Sequence, residues 1–333
     1  MEQNERFEIT RDALLGEAVG DAFGVPVEFL SRAEVRAIHP RDMLGSDSAC
    51  PVHSRWGDRI PRGSWSDDTS MTVASMDSFI RNGGRIDYPD QMTCFLRWWD
   101  EKEYCCLDYP FGLGGNISAA MERFRRGTPA LKCGGKTILD NGNGALMRIL
   151  PFSLYCIFNE LNEDETAEIS GNGSAITHGH EISRMCCFLW TEFLRSLVNG
   201  REAESDCRDS LNSAIDHIES LPCEKWFSSA TLDDLRKITK KKTRELTERD
   251  IRETGYVVDT LYTAFYSLYH ADDYETSILN AVGLGYDTDT AAAVTGTAAG
   301  ILYGTESIPE RWLNILREKD YLEKTALDFA ACF

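Results

Sequence analysis

Apolar side chains recur along most of this chain at the three- and four-residue spacing of an amphipathic helix. The longest stripe joins Ile182, Met185, Leu189, Phe193 and Leu197, and it predicts one long helix. Stripes of the same kind predict further helices near 92–99, 117–124, 211–218, 255–269, 272–282 and 288–302. Stretches that alternate between apolar and polar residues, as half-buried strands do, are hard to find. The pattern predicts an all-α protein with about a dozen helices or more.

Two of the predicted helices carry small residues along one face. The first, about 6–23, has Gly16, Gly20 and Gly24 four residues apart. A glycine inside a helix costs about 1 kcal/mol relative to alanine, so a row of glycines usually means that another backbone approaches closely. The helix that begins near residue 288 is equally rich in alanine and glycine. We therefore expect both helices at the centre of a tightly packed bundle.

Composition and charge exclude several classes of protein. The 333 residues include 35 Lys and Arg against 54 Asp and Glu, a formal charge of −19, so we expect no nucleic acid partner. The absence of a run of about 18 apolar residues argues against a membrane partner, and the first residues lack the pattern of a signal peptide. We expect a cytoplasmic protein with one domain, 1–333, in which the mixed-charge stretch 237–254 is a solvated excursion.

The 11 cysteines do not form a metal or redox motif. No Cys-x-x-Cys pair is present, so a thiolate zinc site or a thioredoxin-type site lacks the necessary spacing. Cys94, Cys156 and Cys186 fall inside apolar helical stretches. We expect reduced thiols that pack as small core residues, and no nucleophilic cysteine.

The first candidate for chemistry is the segment 64–69, which reads Ser-Trp-Ser-Asp-Asp-Thr and opens a helix. Negative side chains are favourable at a helix N-terminus, so capping alone would explain one aspartate. The pair Asp67 and Asp68, with Ser66 before it, offers more oxygen atoms than a cap uses. Such oxygens are ligands for Mg²⁺, Mn²⁺ or Ca²⁺. Both interpretations stay open on this segment alone.

A second acidic loop, 285–291, reads Gly-Tyr-Asp-Thr-Asp-Thr-Ala and also enters a helix. Asp287 and Asp289 alternate, and Thr290 offers a third oxygen, although alternating aspartates also form plain Asx turns. If the two loops converge, they supply four carboxylates, enough for two divalent ions about 3.5–4 Å apart. Without a cation, four such carboxylates would repel one another. Glu28, just past the first helix, is a further acidic candidate.

Two glycine-rich turns enter helices, one at 112–116 and one at 141–145. In the first of them we expect Asn116 to cap the helix and Gly127 to end it. Backbone N–H groups at such helix starts cradle phosphates, although glycine turns are also common without a ligand. Two turns near an acidic site favour a pyrophosphate-bearing ligand. His178 is either a ligand contact or, as is more ordinary, a capping or core-edge histidine.

Six segments of the chain, taken in order, resemble the ADP-ribosylglycohydrolase family, which includes the dinitrogenase-reductase-activating glycohydrolase and the ADP-ribosyl-acceptor hydrolases. The segments are Gly20-Asp21-Ala22-x-Gly24-x-x-x-Glu28, Trp65-Ser66-Asp67-Asp68-Thr69, Asn141-Gly142-Asn143-Gly144-Ala145-x-Met147-Arg148, Thr177-His178, Gly255-Tyr256-Val257-Val258-Asp259-Thr260-Leu261 and Asp287-Thr288-Asp289-Thr290. Each is modest alone, whereas six in family order are highly specific.

The resemblance implies a compact orthogonal helical bundle with two divalent cations, Mg²⁺ or Mn²⁺, in a central cleft. Carried over by position, the metal ligands would be Ser66, Asp67, Asp68, Asp287, Asp289 and Thr290. Glu28, Asp67 and Asp68 would be catalytic, with Glu28 as general acid or base. The ADP-ribose contacts would be Gly112, Gly114, Gly115, Asn116, Asn141, Gly142, Asn143, Gly144, His178 and Tyr286.

The implied function is hydrolysis of the bond between C1″ of ADP-ribose and a protein side chain, with arginine as the favoured acceptor. The implied partners are an ADP-ribosylated protein and ADP-ribose itself. Two alternatives are a catalytically silent member that binds ADP-ribose or serves structurally, and a dimetal hydrolase of another ADP-ribosyl compound. Oxygen ligands at all six expected metal positions weigh against the silent member.

The chain departs from the family pattern at two places. Many arginine-specific members carry an acidic residue two positions before a Gly-Asn pair, where this chain has Leu113 or Gly114 and its nearest acid is Asp108. Tyr286 stands where glycine or asparagine is frequent, so we expect it to reshape the mouth of the cleft.

Overall fold

The computed structural model describes residues 1–48, 52, 54–238 and 241–333. Within these ranges the chain forms fifteen α-helices joined by turns and short 3₁₀ helices, and its β-type pairings are two isolated bridges. The prediction of an all-α fold is confirmed. The helices are α1 (Gln3–Gly24), α2 (Arg32–Ile38), α3 (Asp67–Arg81), α4 (Tyr88–Glu101), α5 (Gly115–Arg125), α6 (Leu150–Phe158), α7 (Glu163–Ala175), α8 (Glu181–Glu202), α9 (Cys207–Ser220), α10 (Ser229–Ile238), α11 (Val257–Tyr269), α12 (Tyr274–Gly283), α13 (Thr288–Tyr303), α14 (Glu310–Leu313) and α15 (Lys319–Ala330).

Helices α1 and α13 lie antiparallel at the centre of the fold and touch through their glycines. A β-carbon built on Gly20 would lie 2.1 Å from the carbonyl oxygen of Ala292, and one on Gly300 would lie 2.0 Å from that of Asp12. Only glycine fits at such distances, so the predicted close approach of two backbones is confirmed. Gly24, at the end of α1, lies against the first turn of α13. The segment that follows α1 is therefore held beside the loop that precedes α13.

An apolar core surrounds this central pair and includes residues of nearly every helix. Its largest buried side chains are four tryptophans, Trp65, Trp98, Trp190 and Trp312. The ring of Trp312 packs 4.6 Å from that of Phe23 in α1, centroid to centroid. Among the described helices, none is both long enough and apolar enough to span a lipid bilayer.

Helix α5 starts earlier than the sequence predicted. Its N-cap is Gly114, with φ −72° and ψ 149°, and Asn116 lies inside the first helical turn. Asn116 as N-cap was therefore wrong, because the two glycines before it let the chain enter the helix two residues sooner. Gly127 follows the C-cap residue Arg126 and has a φ of +89°, as expected of a glycine that ends a helix.

The described cysteines are unpaired, as expected of reduced thiols. Cys94, Cys156 and Cys186 are buried in the helical core. Burial raises the pKa of the Cys94 thiol to about 11 and that of Cys156 to about 12. These three thiols therefore stay protonated at neutral pH and pack as small core residues.

The mixed-charge stretch 237–254 is only partly the solvated excursion that its composition predicted. Residues 239 and 240 lie outside the described residues. Beyond them the chain forms two 3₁₀ helices, Thr243–Glu245 and Glu248–Asp250. Leu246 and Ile251 are buried against Leu284, so this segment packs onto the loop before α13.

Candidate active site

A cleft of about 360 Å³ opens at the end of the α1–α13 pair where both acidic loops lie. Most of the residues predicted for the site line this cleft, and two of them, Ser66 and Asn141, do not. The lining residues are Glu28, Phe29, Asp67, Asp68, Gly112, Gly114, Gly115, Asn116, Ile117, Gly142, Asn143, Gly144, Met147, His178, Gly255, Tyr286, Asp287, Asp289 and Thr290.

The first acidic loop does not use its aspartate pair for capping. Ser66 is the N-cap of α3, and its hydroxyl accepts from the backbone N–H of Asp68. Asp21, from α1, accepts from the N–H groups of Ser66 and Thr69 at 2.9 and 3.1 Å and from the Thr69 hydroxyl at 2.7 Å. The start of α3 is thus satisfied by Ser66 and Asp21, which leaves the carboxylates of Asp67 and Asp68 for the cleft.

Asp68 is the most constrained carboxylate of the site. It is 1% exposed, and its Oδ2 accepts a hydrogen bond of 2.9 Å from the Ser66 hydroxyl. Its Oδ1 is buried without a hydrogen-bond partner. A buried unpaired carboxylate oxygen is costly, and a bound cation would supply the missing partner.

The second acidic loop is held by the turn at 141–145. Nδ2 of Asn143 donates to Oδ2 of Asp287 at 2.6 Å and to the hydroxyl of Thr260 in α11 at 2.9 Å. The backbone N–H of Thr290 donates to Oδ1 of Asp289 at 2.9 Å. These bonds fix the two aspartates while each keeps oxygen atoms directed toward its acidic neighbours.

The acidic residues come together as two groups that share one aspartate. Oxygen atoms of Asp21, Asp68 and Asp289 lie within 4.8 Å of one another, as do those of Glu28, Asp287 and Asp289. Both oxygens of Asp21 already accept hydrogen bonds from α3, so it is better suited to support the site than to bind an ion. The donor set consists of hard oxygens and fits divalent cations such as Mg²⁺ or Mn²⁺.

The electrostatics of the cleft show how crowded these carboxylates are. Burial, and next the charge of Asp21, raise the pKa of Asp67 to about 7. Burial and then the charge of Asp21 raise the pKa of Asp68 well above its usual value. Burial and then the charge of Glu28 do the same for the pKa of Asp289. Positive charge placed among them would reverse these shifts.

Glu28 lies at the edge of the acidic cluster. Burial and then the charges of Asp287 and Asp67 raise its pKa to about 9. The indole Nε1 of Trp56 donates a hydrogen bond to its Oε2, which fixes the orientation of the carboxyl group. Trp56 lies in the irregular segment between α2 and α3, where neither periodicity nor a motif predicts a role for it.

The glycine-rich turns approach the acidic residues directly. A β-carbon on Gly112, which has a φ of +92°, would lie 2.0 Å from Oδ1 of Asp67. Gly255 was not among the residues predicted for the site, and a β-carbon on it would lie 2.8 Å from Oδ2 of Asp287. Larger residues at these positions would displace the aspartates.

Asn141 does not face the cleft. Its backbone carbonyl accepts from the N–H of Val257, its Oδ1 accepts from the Ser183 hydroxyl, and its Nδ2 donates to the carbonyl of Ile138. The side chain therefore holds the 141–145 turn from behind, because its polar atoms are already engaged within the protein.

The two histidines of the segment 177–180 differ in role, since one caps a helix and the other lines the cleft. His180 is the N-cap of α8, where its Nδ1 accepts from the N–H of Ile182 at 3.2 Å. His178 lines the cleft, and burial together with the charge of Arg148 lowers its pKa to about 3. It is therefore neutral at physiological pH and packs under Gly142 and Gly144.

An all-helical fold with an acidic cleft between glycine-rich turns defines the class of ADP-ribosyl glycohydrolases. The model of the ADP-ribosylglycohydrolase family matches residues 2–333, and the chain belongs to that family. It is 30% identical over 324 residues to ADP-ribosylarginine hydrolase Tri1 of Serratia proteamaculans (strain 568), covering 97% of this chain and 79% of that protein. The ADP-ribosyl-[dinitrogen reductase] glycohydrolase of Rhodospirillum rubrum is 27% identical over 311 residues, covering 92% and 90%.

The fold is also that of a solved relative. A structure described as an ADP-ribosylglycohydrolase-related protein complex superposes with a TM-score of 0.74 at 28% identity, covering 99% of each chain. The family places the protein among the hydrolases of ADP-ribosyl bonds.

Proposed function

We propose that this protein is a metal-dependent hydrolase that removes ADP-ribose from modified protein side chains, with arginine-linked ADP-ribose as the favoured substrate. One observation carries the proposal, namely that three remote segments bring five carboxylates into one cleft. These are Glu28, Asp67, Asp68, Asp287 and Asp289. The name of the Serratia relative, an ADP-ribosylarginine hydrolase, supports the choice of arginine.

The metal ligands in this proposal are Asp67, Asp68, Asp287, Asp289 and Thr290. Ser66, which the resemblance also implied as a ligand, does not line the cleft, and its hydroxyl instead orients Asp68. Two observations support this assignment. Oδ1 of Asp68 is buried without a partner, and the two clusters of acidic residues have Asp289 in common. Bound Mg²⁺ or Mn²⁺ ions would neutralise the carboxylates and orient the vicinal hydroxyls of a ribose. Asp21 supports the ligand set by fixing the N-terminus of α3.

Glu28 acts as the general acid or base of the reaction. Cleavage of a glycosidic bond passes through an oxocarbenium-like state and needs one group to take a proton from water and one to supply a proton to the leaving group. Glu28 or one of the pair Asp67 and Asp68 accepts the proton of the attacking water, and the acceptor side chain leaves with a proton. The hydrogen bond from Trp56 fixes the Glu28 carboxyl group beside Asp287 and Asp289, where it can exchange a proton with a substrate in the cleft.

The glycine-rich turns hold the ADP-ribose. Gly114, Gly115 and Asn116 line the cleft at the start of α5, where the free backbone N–H groups of the first helical turn are able to bind the pyrophosphate. Gly142 and Gly144 line the cleft beside them. His178 is neutral and offers a ring nitrogen to a ribose hydroxyl or a phosphate. Asn141 contributes by shaping its turn.

Release of ADP-ribose tests the proposal. Proteins modified on arginine, serine or aspartate are incubated with the enzyme while Mg²⁺ or Mn²⁺ is titrated, with EDTA as the metal-free control. We expect fastest release from arginine and none in EDTA. Binding of ADP-ribose without turnover on any of the three substrates would instead indicate a catalytically silent member.

A matched pair of variants tests Glu28. Glu28→Gln is expected to keep the fold and metal binding but to lose most turnover, whereas Glu8→Gln, in the first turns of α1 and outside the cleft, is expected to behave like wild type. Full turnover of Glu28→Gln with metal still bound would refute the role given to Glu28.

A further inference from the structure

Two exposed aromatic side chains flank the acidic cluster at the mouth of the cleft. Phe29 follows Glu28 directly and Tyr286 precedes Asp287 directly. They are 42% and 41% exposed, and their rings pack edge to face with centroids 5.7 Å apart. Both residues line the cleft, and each is the chain neighbour of a catalytic or metal-binding candidate.

The backbone holds this pair in an unusual conformation. Phe29 and Tyr286 have φ values of 64° and 65°, a region that side chains other than glycine and asparagine rarely adopt. The N–H of Phe29 donates to the carbonyl of Tyr286 at 2.5 Å, and the N–H of Tyr286 donates to the carbonyl of Leu30 at 2.7 Å. Strained positions of this kind persist where the surrounding structure fixes them, and they concentrate at functional sites.

The rim of the cleft already binds a guanidinium group. The Cζ atom of Arg55 lies 5.4 Å from the centroid of the Phe29 ring and 4.6 Å from that of Trp56. Trp56 is the residue that donates to Glu28. A planar cation is thus stacked on aromatic rings one residue away from the proposed general acid or base.

Among the described residues, each carboxylate that lines the cleft already has an assigned role, so none is left to pair with a guanidinium acceptor. The acidic residues that line the cleft, within the described ranges, are the five already assigned to metal binding or proton transfer. Asp108 is exposed and does not line the cleft. The faces of the rim aromatics are the remaining groups there that attract a cation.

We propose that Phe29 and Tyr286 form the subsite for the acceptor guanidinium, which takes the place that Arg55 occupies on the Phe29 ring. Tyr286 then contacts the acceptor instead of the ADP-ribose to which the family resemblance assigned it. This inference rests on the proposed function, because it names the acceptor side of the same site. The acceptor belongs to a folded protein and must enter and leave through solvent, and the rim beside Glu28 and Asp287 borders that route. Phe29 and Tyr286 are therefore specificity-determining residues.

Binding measurements isolate this subsite from the rest of the cleft. The variants Phe29→Asn and Tyr286→Asn remove a ring while asparagine tolerates the left-handed backbone. Calorimetry in the Glu28→Gln background, which is expected to bind metal without turnover, gives the dissociation constants of ADP-ribosylarginine and of ADP-ribose in the presence of Mg²⁺. We expect each variant to weaken ADP-ribosylarginine binding about threefold and to leave ADP-ribose binding unchanged, the size of an exposed cation–π contact.

Kinetics provide the second readout. Each variant is expected to raise KM for an arginine-linked peptide about threefold with little change in kcat, and to leave KM for a serine-linked peptide unchanged. Tyr286→Phe keeps the ring and should behave like wild type. Tyr109→Asn removes an aromatic side chain that is also 41% exposed but lies outside the cleft, and it should change neither constant.

Three results would overturn the subsite. Equal losses on arginine- and serine-linked peptides, or equal losses for ADP-ribosylarginine and ADP-ribose, would mean that the rings only position Glu28 and Asp287. Unchanged ADP-ribosylarginine binding in both variants would show that neither ring forms a cation–π contact with the acceptor. A wild-type enzyme that acts on the serine-linked peptide alone would contradict arginine specificity and the subsite together. If the wild-type protein turns over none of the substrates but still binds ADP-ribosylarginine selectively, the proposed hydrolase activity is refuted and the subsite is supported.

Discussion

Gly112 lies so close to Asp67 that a β-carbon on the glycine would stand 2.0 Å from Oδ1 of the aspartate. Gly112→Ala must therefore displace the turn or the carboxylate, and a displacement of about 1 Å in a catalytic constellation is costly. We predict a fall in kcat/KM for ADP-ribose release of about tenfold or more. Steady-state kinetics at saturating Mg²⁺, with circular dichroism to verify the fold, measures this effect.

Gly127→Ala is the matched control for that variant. Gly127 has a φ of +89°, close to the +92° of Gly112, but a β-carbon there would meet nothing within 4 Å. Backbone strain alone should lower its free energy of unfolding by about 1 kcal/mol and leave kcat/KM unchanged. If the two variants lost activity to the same extent, strain would explain the result and the contact with Asp67 would not.

The glycine contacts between α1 and α13 predict a large effect on stability. In Gly20→Ala the new methyl group would stand 2.1 Å from the carbonyl oxygen of Ala292, so the two backbones must separate. Overpacking of this kind costs about 1–3 kcal/mol, and the contact here is with rigid backbone. We expect urea denaturation to show a loss of about 3 kcal/mol in the free energy of unfolding.

A helical glycine with free space gives the comparison. Gly283 ends α12, and a β-carbon on it would meet nothing within 4 Å. Gly283→Ala should therefore keep or slightly raise the free energy of unfolding, since alanine is favoured over glycine in helices by up to about 1 kcal/mol. Equal destabilisation by both substitutions would mean that the close contact with Ala292 is not the cause of the loss in Gly20→Ala.

The sequence predicted the parts of the site that can be recognised within a short stretch of the chain. Asp67, Asp68, Asp287 and Asp289 stand at helix starts next to hydroxyl residues, and their number exceeds what caps need. The glycine rows of α1 and α13 predicted the close packing that places the end of α1, and Glu28 after it, beside the loop of Asp287 and Asp289. Helical periodicity likewise gave the fold class, because an apolar stripe needs only local sequence.

What the sequence did not reveal depends on contacts between distant residues. The role of Asp21 as a cap for α3 rests on Ser66 and Thr69, 45 and 48 residues further along the chain. The contact between Trp56 and Glu28 comes from an irregular segment without periodicity. An asparagine in a glycine-rich turn is a plausible ligand contact from sequence alone. Only the structure shows that the amide of Asn141 is hydrogen-bonded to Ile138 and Ser183 behind the turn.

Asn143 links the turn at 141–145 to the second acidic loop and predicts an effect on metal affinity. Its Nδ2 donates to Asp287 at 2.6 Å and to Thr260 at 2.9 Å, so Asn143→Ala leaves the aspartate free to rotate. Loss of a residue that orients a metal ligand typically weakens metal binding by about 10–100-fold. Calorimetric titration with MgCl₂ measures the change.

A second amide serves as the control for Asn143. Asn280 donates to the backbone carbonyls of Ser267 and His270 and does not line the cleft. Asn280→Ala should lower stability modestly and leave the affinity for Mg²⁺ unchanged. Wild-type affinity in Asn143→Ala would show that Asp287 does not depend on this hydrogen bond to bind the ion.

A buried ion pair lies on the other side of the molecule, between α8 and α9. Glu192 is 1% exposed, and its two oxygens accept from Arg195 Nε at 3.2 Å and lie 3.0 Å from His217 Nε2. Burial opposes its ionisation, but the hydrogen bond with His217 and the charge of Arg195 outweigh that cost. The pKa of Glu192 therefore lies below its ordinary value of 4.5.

A group whose pKa is lower in the folded than in the unfolded chain stabilises the fold above the unfolded pKa and ceases to do so as the pH falls through the folded one. We therefore predict that Glu192→Gln lowers the free energy of unfolding by about 1–3 kcal/mol at pH 7, because Arg195 and His217 lose their anionic partner. The difference from wild type should shrink as the pH falls below 4.5. Urea denaturation between pH 3 and 7 measures both values, with Glu202→Gln, an exposed acid of α8, expected to change stability by less than about 0.5 kcal/mol. A difference that stays constant across this pH range would mean that the charge of Glu192 does not contribute, and that the loss comes from altered packing of the amide.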